Sequence, residues 1–330
     1  MDFDLNDEQR AVVEAIEALL ERHAGAARAI ELGRDGGYDT ALDAALEAAG
    51  YGEIATDLGL LEAVLLVEAL ARHGAVSGSA ARLLAVPAVC DAGVPGPVAL
   101  MRAGHSGPVR YASHANTLLI LDGDQARRVT LRPGECPAVP SNFGFPMGRV
   151  SAECVGRGEP LGQGRGARLE DAWRLGLAAE TVGCMDAALA ETVAYLKQRR
   201  QFGQTIASFQ AVQHRLAECA IQVEASRWLT REAGFVASGS EAVASAAAFA
   251  LDAAGHVFAE THQLSGAIGF TREHDLHVWS MRLHALRQEL GGVGGHRRAV
   301  VEARWGEALE GEARGGEALE GEAPGGDRPR

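Results

Sequence analysis

Between residues 165 and 265 alanine recurs so often, and aromatic residues so rarely, that long helices are the structure this stretch most readily forms. Alanine loses no side-chain entropy in a helix and places no bulk between neighbouring helices. The texture falls into four segments with short breaks. The first runs over about 170–200 and is stopped at Gly203. The second covers 209–238, with Ser208 as its expected cap. A third covers 241–264 and ends at Gly266, and a fourth covers 273–290 and ends at Gly291-Gly292. Long helices with short connections predict an antiparallel four-helix bundle over 169–304.

The first 93 residues also read as helical. Asn6 is an N-cap with Asp7 and Glu8 in the first turn and Gln9 at the capping-box position. Val12, Val13, Ile16, Leu19 and Leu20 then share a face, until Gly33 and Gly36-Gly37 break the pattern. Further helices are expected at 40–49 and at 58–73, the latter apolar on most sides and therefore buried. Over 94–168 prolines, glycines and short β-favouring runs take over. The clearest is Thr117–Leu121 before the turn dipeptide Asp122-Gly123, which marks a small β-rich domain. The fold class is thus mainly α, with a short β domain between an N-terminal helical domain and a C-terminal bundle. Residues 305–330 repeat GEALEGEARG as GEALEGEAPG, a segment too polar to offset its ordering entropy, and are expected to be a disordered tail.

Composition excludes several classes. A net charge of −13 argues against a nucleic-acid partner. No stretch of about 18 uninterrupted apolar residues predicts a membrane span. Five scattered cysteines without CxxC spacing, and no basic-apolar leader, point to reduced thiols in a cytoplasmic protein. His274, His277 and His284 approach a zinc-like spacing but lack accompanying cysteines or carboxylates, so no metal is expected. The glycines at 162, 164 and 166 do not form a dinucleotide fingerprint and read as a linker. Trp173, Trp228 and Trp279 read as core.

Two local patterns carry chemistry. Tyr195, Arg199, Phe202 and Gly203 are followed seven residues later by Gln210, and then by Gln213. Further on, Gln263, Gly266, Ala267, Gly269 and Phe270 form a second block. Arginine holds phosphate oxygens in a planar fork, glutamines donate and accept, glycines admit close backbone approach, and a phenylalanine supplies an apolar wall. Each has an ordinary reading alone: a helix-end arginine, a core phenylalanine, a helix-stopping glycine. In this order and spacing they resemble the acyl-CoA dehydrogenase signatures Y-x-x-x-R-x-x-F-G, with its following glutamine, and Q-x-x-G-G-x-G-F.

The resemblance implies FAD as cofactor, with Arg199, Phe202, Gln210, Gln263, Gly266 and Ala267 reaching the FAD of a neighbouring subunit. Ala267 stands where the family has glycine. It also implies α,β-dehydrogenation of an acyl-CoA by a carboxylate base, with an electron-transfer flavoprotein as acceptor. Neither family position for that base holds a carboxylate here: one is Leu290, the other Trp173 before Arg174. Glu289 is one residue early, which on a helix turns its carboxylate by about 100°. The family's T-E-P-x-x-G-S-D-like segment for the flavin ring is also missing from 94–166. Such short chains resemble the non-base subunits of heteromeric α2β2 steroid-CoA dehydrogenases of actinobacteria, in which a larger partner carries the base. The alternatives are a self-sufficient homomeric dehydrogenase using Glu289, or a non-enzymatic helical relative that binds no flavin.

Overall fold

Asn6 and Gln9 close the first helix as the sequence predicts. The Asn6 side chain accepts the Gln9 amide at 2.8 Å, and the Gln9 side chain accepts the Asn6 amide at 3.0 Å. The computed structural model describes residues 4–236 and 239–320, with side chains up to residue 306. In it α1 spans Asp7–His23 and buries Ile16, Leu19 and Leu20. Extended Ala24 and Gly25 at φ 136° then redirect the chain into α2 (Ala26–Asp35), so one expected amphipathic segment is two helices. Next come α3 (Thr40–Ala48), α4 (Ile54–Asp57) and α5 (Leu60–Arg72), whose residues 63–71 are all buried. A π turn over Ala81–Ala85 leads into α6 (Val86–Val89).

The middle segment forms two small sheets. β1 (Val98–Arg102), β3 (Thr117–Asp122), β4 (Gln125–Thr130) and β7 (Glu159–Pro160) lie in that order, β1 parallel to β3 and the other pairs antiparallel. β2 (Val109–Arg110), β6 (Met147–Gly148) and β5 (Ala138–Val139) make the second sheet, and α7 (Ala152–Gly156) precedes β7. Strand β3 is buried on both faces. Leu119 and Leu121 join the helical core, while Leu118 and Ile120 join a separate cluster with Val129, Cys136 and Cys154. The Asp122-Gly123 signal is the β3–β4 turn, with Gly123 at φ 61°.

The helical stretch opens with α8 (Arg165–Gln198), which starts earlier than the sequence suggests. Gly166 explains the early start, because a Cβ there would lie 2.2 Å from the Asp124 carbonyl carbon. The tip of the β3–β4 hairpin thus docks on the first turn of the bundle. Gly183 plays the same part against α5, where a Cβ would lie 2.2 Å from the Glu68 carbonyl oxygen. The chain continues as the hairpin β8 (Arg200–Gln201) and β9 (Gln204–Thr205), α9 (Gln210–Val236), α10 (Ser240–Ser265), α11 (His277–Leu286) and α12 (Gly292–Glu320). Among the described residues α10 alone is long and apolar enough to cross a membrane, yet it lies at the centre of the bundle against α8, α9 and α12.

Three expectations need correction. The fourth helix is not 273–290 but the shorter α11, because Leu290, Gly291 and Gly292 adopt φ of 51°, 85° and 68° and no right-handed helix passes through them. The helix that completes the bundle is α12. It carries residues 305–320, expected as tail, in helical form, and 321–330 lie outside the described residues. Ser208 does not cap α9; its hydroxyl donates to the Thr205 carbonyl at 2.6 Å, inside a short 3-10 turn over Ile206–Ser208.

Candidate functional site

The first block of the motif is built by a two-residue hairpin. Helix α8 ends as Arg199 turns extended, and the Ile206 amide returns to the Arg199 carbonyl at 2.9 Å. Phe202 and Gly203 form the turn at φ 53° and 80°. Positive φ suits glycine but costs a phenylalanine about 1–2 kcal/mol, so Phe202 is held where its ring gains nothing from the core. It is 89% exposed, with Phe209 edge-on at 6.3 Å as its ring partner. Arg199 and Gln210 are exposed too.

The second block ends α10. Gly266 takes φ 66° and ψ −148°, its amide bonds the His262 and Gln263 carbonyls, and the chain makes a 3-10 turn over Gly266–Phe270. Gln263, Gly266 and Ala267 are exposed, and Phe270 is 73% exposed. Gly269 is buried because a Cβ there would press on Ser265 Cβ at 2.8 Å. Cross-links bring both blocks to one end of the bundle. Arg215 near the start of α9 bonds Glu260 near the end of α10, separated by 2.5 Å, and Tyr195 near the end of α8 packs on His274 at 5.1 Å. None of the Arg199, Gln210 and Gln263 side chains has a hydrogen-bond or ion-pair partner among the described residues. An arginine, two amides and an aromatic ring therefore face outward from one place.

The second candidate region is a cleft of about 660 Å³ between the sheets and the turn after α11. Glu289 lies at its inner end. Its carboxylate accepts from Trp173 Nε1 at 2.6 Å and pairs with Arg110 Nε at 2.7 Å. Arg110 Nη1 also reaches both oxygens of Glu180, at 2.8 and 2.9 Å. Burial pushes the Glu289 carboxyl up, and the charge of Arg110 only moderates the rise. For Arg110 burial works against the charge, but Glu180 and Glu289 outweigh it and hold its pKa above the ordinary value. The Glu289 carboxylate is thus already bound on two sides. Leu290, at the position where the sequence reading looked for a base, is buried. Trp173, expected as core, is 6% exposed yet spends its indole N–H on Glu289. Among the described residues Ser141 is the only hydroxyl-bearing one that lines the cleft.

Arg110 and Glu180 were not singled out from the sequence. Glu180 had a signal, a lone acidic residue in the apolar run Leu175–Val182, in the middle of a helix buried all round only over 173–185. Arg110 had none, since its partners lie 70 and 179 residues away.

The sequence profile of the acyl-CoA dehydrogenase C-terminal domain matches residues 171–304. "Acyl-CoA dehydrogenase IpdE2" of Mycolicibacterium smegmatis is 30% identical over 305 residues, covering 87% of this chain and 96% of that protein. The chain belongs to the acyl-CoA dehydrogenase family. The protein of the same name from Mycobacterium tuberculosis is 31% identical over 300 residues, covering 86% of this chain and 93% of its own length. The family fold is also that of the solved Tcur3481-Tcur3483 steroid ACAD variant, with a TM-score of 0.78 at 23% identity over 93% of this chain and 99% of that one. The ChsE4-ChsE5 complex from Mycobacterium tuberculosis gives 0.75 at 22% identity, over 94% and 99%. Against this acyl-CoA dehydrogenase background the two regions differ in kind. One presents unpartnered polar groups and an aromatic ring to the outside, whereas the other encloses a carboxylate paired with Arg110 and Trp173.

Proposed function

We propose that this chain is the non-base subunit of a heteromeric, FAD-dependent acyl-CoA dehydrogenase. It contributes Arg199, Phe202, Gln210, Gln263, Gly266 and Ala267 to the adenine and pyrophosphate end of a partner's FAD. The larger partner supplies the carboxylate base. FAD would supply the hydride-accepting ring. Arg199 would clamp phosphate oxygens through its fork, the two glutamines would bond the sugar and adenine side, and Phe202 would exclude water from that contact. The observation that carries this reading is the cluster of unpartnered polar groups at one bundle end, combined with a Glu289 carboxylate committed to Arg110 and Trp173. A bulky steroid-derived CoA thioester as substrate is supported by one structural neighbour, a steroid ACAD, and the heteromeric assembly by another, the two-component ChsE4-ChsE5 complex. An electron-transfer flavoprotein as acceptor and a reducing, cytoplasmic setting complete the proposal; the five free thiols suit the latter.

Arg199→Ala removes the proposed phosphate clamp and is expected to lower the FAD content of the purified complex about tenfold or more, as loss of a charge-assisted phosphate contact does. Flavin content equal to that of the unaltered complex would contradict the assignment.

The self-sufficient reading draws on one observation, that Glu289 lines the large cleft and has a raised pKa. Glu289→Gln decides between the two. It keeps the side-chain shape and an acceptor for Trp173, so the proposal predicts turnover by the complex within about twofold of the original, well short of the orders of magnitude expected on losing a general base. A collapse of turnover with flavin still bound would transfer the base to Glu289.

A further inference from the structure

Arg282 is a cation in the wrong place for a structural residue. It lies on α11, is 2% exposed, and forms no ion pair among the described residues. Its Nη1 and Nη2 donate to the Ala75 and Gly74 carbonyls at 2.8 and 3.0 Å, and its guanidinium lies 5.0 Å from the centre of the Phe145 ring. Its Nε has no hydrogen-bond partner. Glu180 lines the small void on one side of Arg282, but both of its oxygens are committed to Arg110. A buried charge without a counter-ion is costly, so either the fold bears the cost or an anion arrives to relieve it.

On its other side Arg282 lines a second cavity, of about 270 Å³, formed where α2, the loop before β6 and α11 meet. Arg34 and Arg272, both exposed, line this cavity together with His277, Ser141 and Asn142. No carboxylate among the described residues does, although the chain has 44 acidic against 31 basic residues. Arg34 has no partner among the described residues, and Arg272 has one neutral contact, Nη2 to Asn142 Oδ1 at 3.1 Å. Gly144, at φ 71°, keeps a side chain off the wall beside Arg282, where a Cβ would come within 3.3 Å of Nε. Three guanidinium groups, a hydroxyl and an amide around one cavity form a donor set suited to oxyanions.

We propose that this cavity is a binding site for a phosphate-type oxyanion, either free or carried by a larger phosphorylated ligand, separate from the FAD-contacting motif. Arg34 and Arg272 attract and fork the anion, and its charge answers that of Arg282. The test is calorimetric titration of the full chain with inorganic pyrophosphate at low ionic strength. One equivalent is expected to bind. Arg34→Ala and Arg272→Ala, both at exposed positions that leave the core intact, are each expected to weaken it by about tenfold or more. Arg199→Ala is expected to leave it unchanged, which separates this site from the proposed FAD contacts. Weaker binding of orthophosphate than of pyrophosphate would assign the site to a ligand-borne phosphoryl group, and equal binding to free phosphate; both support it. No binding by the unaltered chain, equal binding by Arg272→Ala, or loss of binding in Arg199→Ala would overturn it.

Discussion

Arg110→Leu is expected to destabilise the protein by about 3–5 kcal/mol at neutral pH, the usual cost of removing one partner from a buried ion pair. The arginine is the single cation between two carboxylates, and the side chains of all three are at most 19% exposed. Leucine fills much of the space but leaves Glu180 and Glu289 facing each other without a counter-charge. Glu289, whose carboxyl burial already pushes up, would respond by holding its proton once the moderating charge of Arg110 is gone. A carboxylate with a raised folded pKa contributes stability below its unfolded pKa and loses it as pH rises through the folded one. The deficit of the variant should therefore shrink in mild acid. Urea midpoints at pH 5 and pH 8 check this. Adding Glu180→Leu and Glu289→Gln should restore most of the loss. A deficit below about 1 kcal/mol at pH 8 would mean the network is wet and loosely held.

The second large effect is acid sensitivity from His296. This residue of α12 is fully buried, donates from Nε2 to the Glu289 carbonyl at 3.2 Å, and leaves Nδ1 without a partner. Burial first, then the positive charge of Arg174, pushes its pKa down to about 4 from an ordinary 6.5. The unfolded chain therefore binds a proton between those values that the native state refuses. The stability tied to His296 is complete above pH 6.5 and is lost as pH falls towards 4, up to about 3 kcal/mol. Glu289, with its raised pKa, works in the opposite direction, so the contribution is read as a difference between proteins. His296→Asn should flatten the pH dependence of the urea midpoint between pH 4 and 6.5. An unchanged slope would show that His296 takes up its proton within the folded state.

These two effects arise where the sequence was least legible. Local signals served well. The capping box at Asn6, the turn at Asp122-Gly123 and the breaks at Gly203 and Gly266 each depend on neighbours within a few residues, and the structure places all of them as expected. The order of helices, small β region and bundle was legible for the same reason. The errors involve competition between local and distant forces. Ser208 has the chemistry of a cap, but the tight return of the hairpin gives its hydroxyl a nearer acceptor. The chain does break at Gly291-Gly292 as expected, yet a further helix that the sequence did not suggest, α12, begins at Gly292 because its face packs on α10. The quartet of Arg110, Trp173, Glu180 and Glu289 comes from β2, α8 and the turn after α11, and no periodicity connects those positions.

The quartet also changes the meaning of Glu289. From the sequence it was a displaced base only in the alternative, self-sufficient reading. In the fold it anchors the turn after α11 to the sheet and the first bundle helix. Its neighbour Leu290 is part of the same turn, a buried leucine at φ 51° held at a cost in backbone strain.

The most direct measurement is the FAD content of this chain purified alone by size exclusion, compared with the same chain purified with a larger acyl-CoA dehydrogenase subunit. The account predicts a flavin-free chain that gains FAD and acyl-CoA oxidation only in the complex. Stoichiometric FAD on the lone chain, bleached by an acyl-CoA, would contradict it and make this protein a complete enzyme.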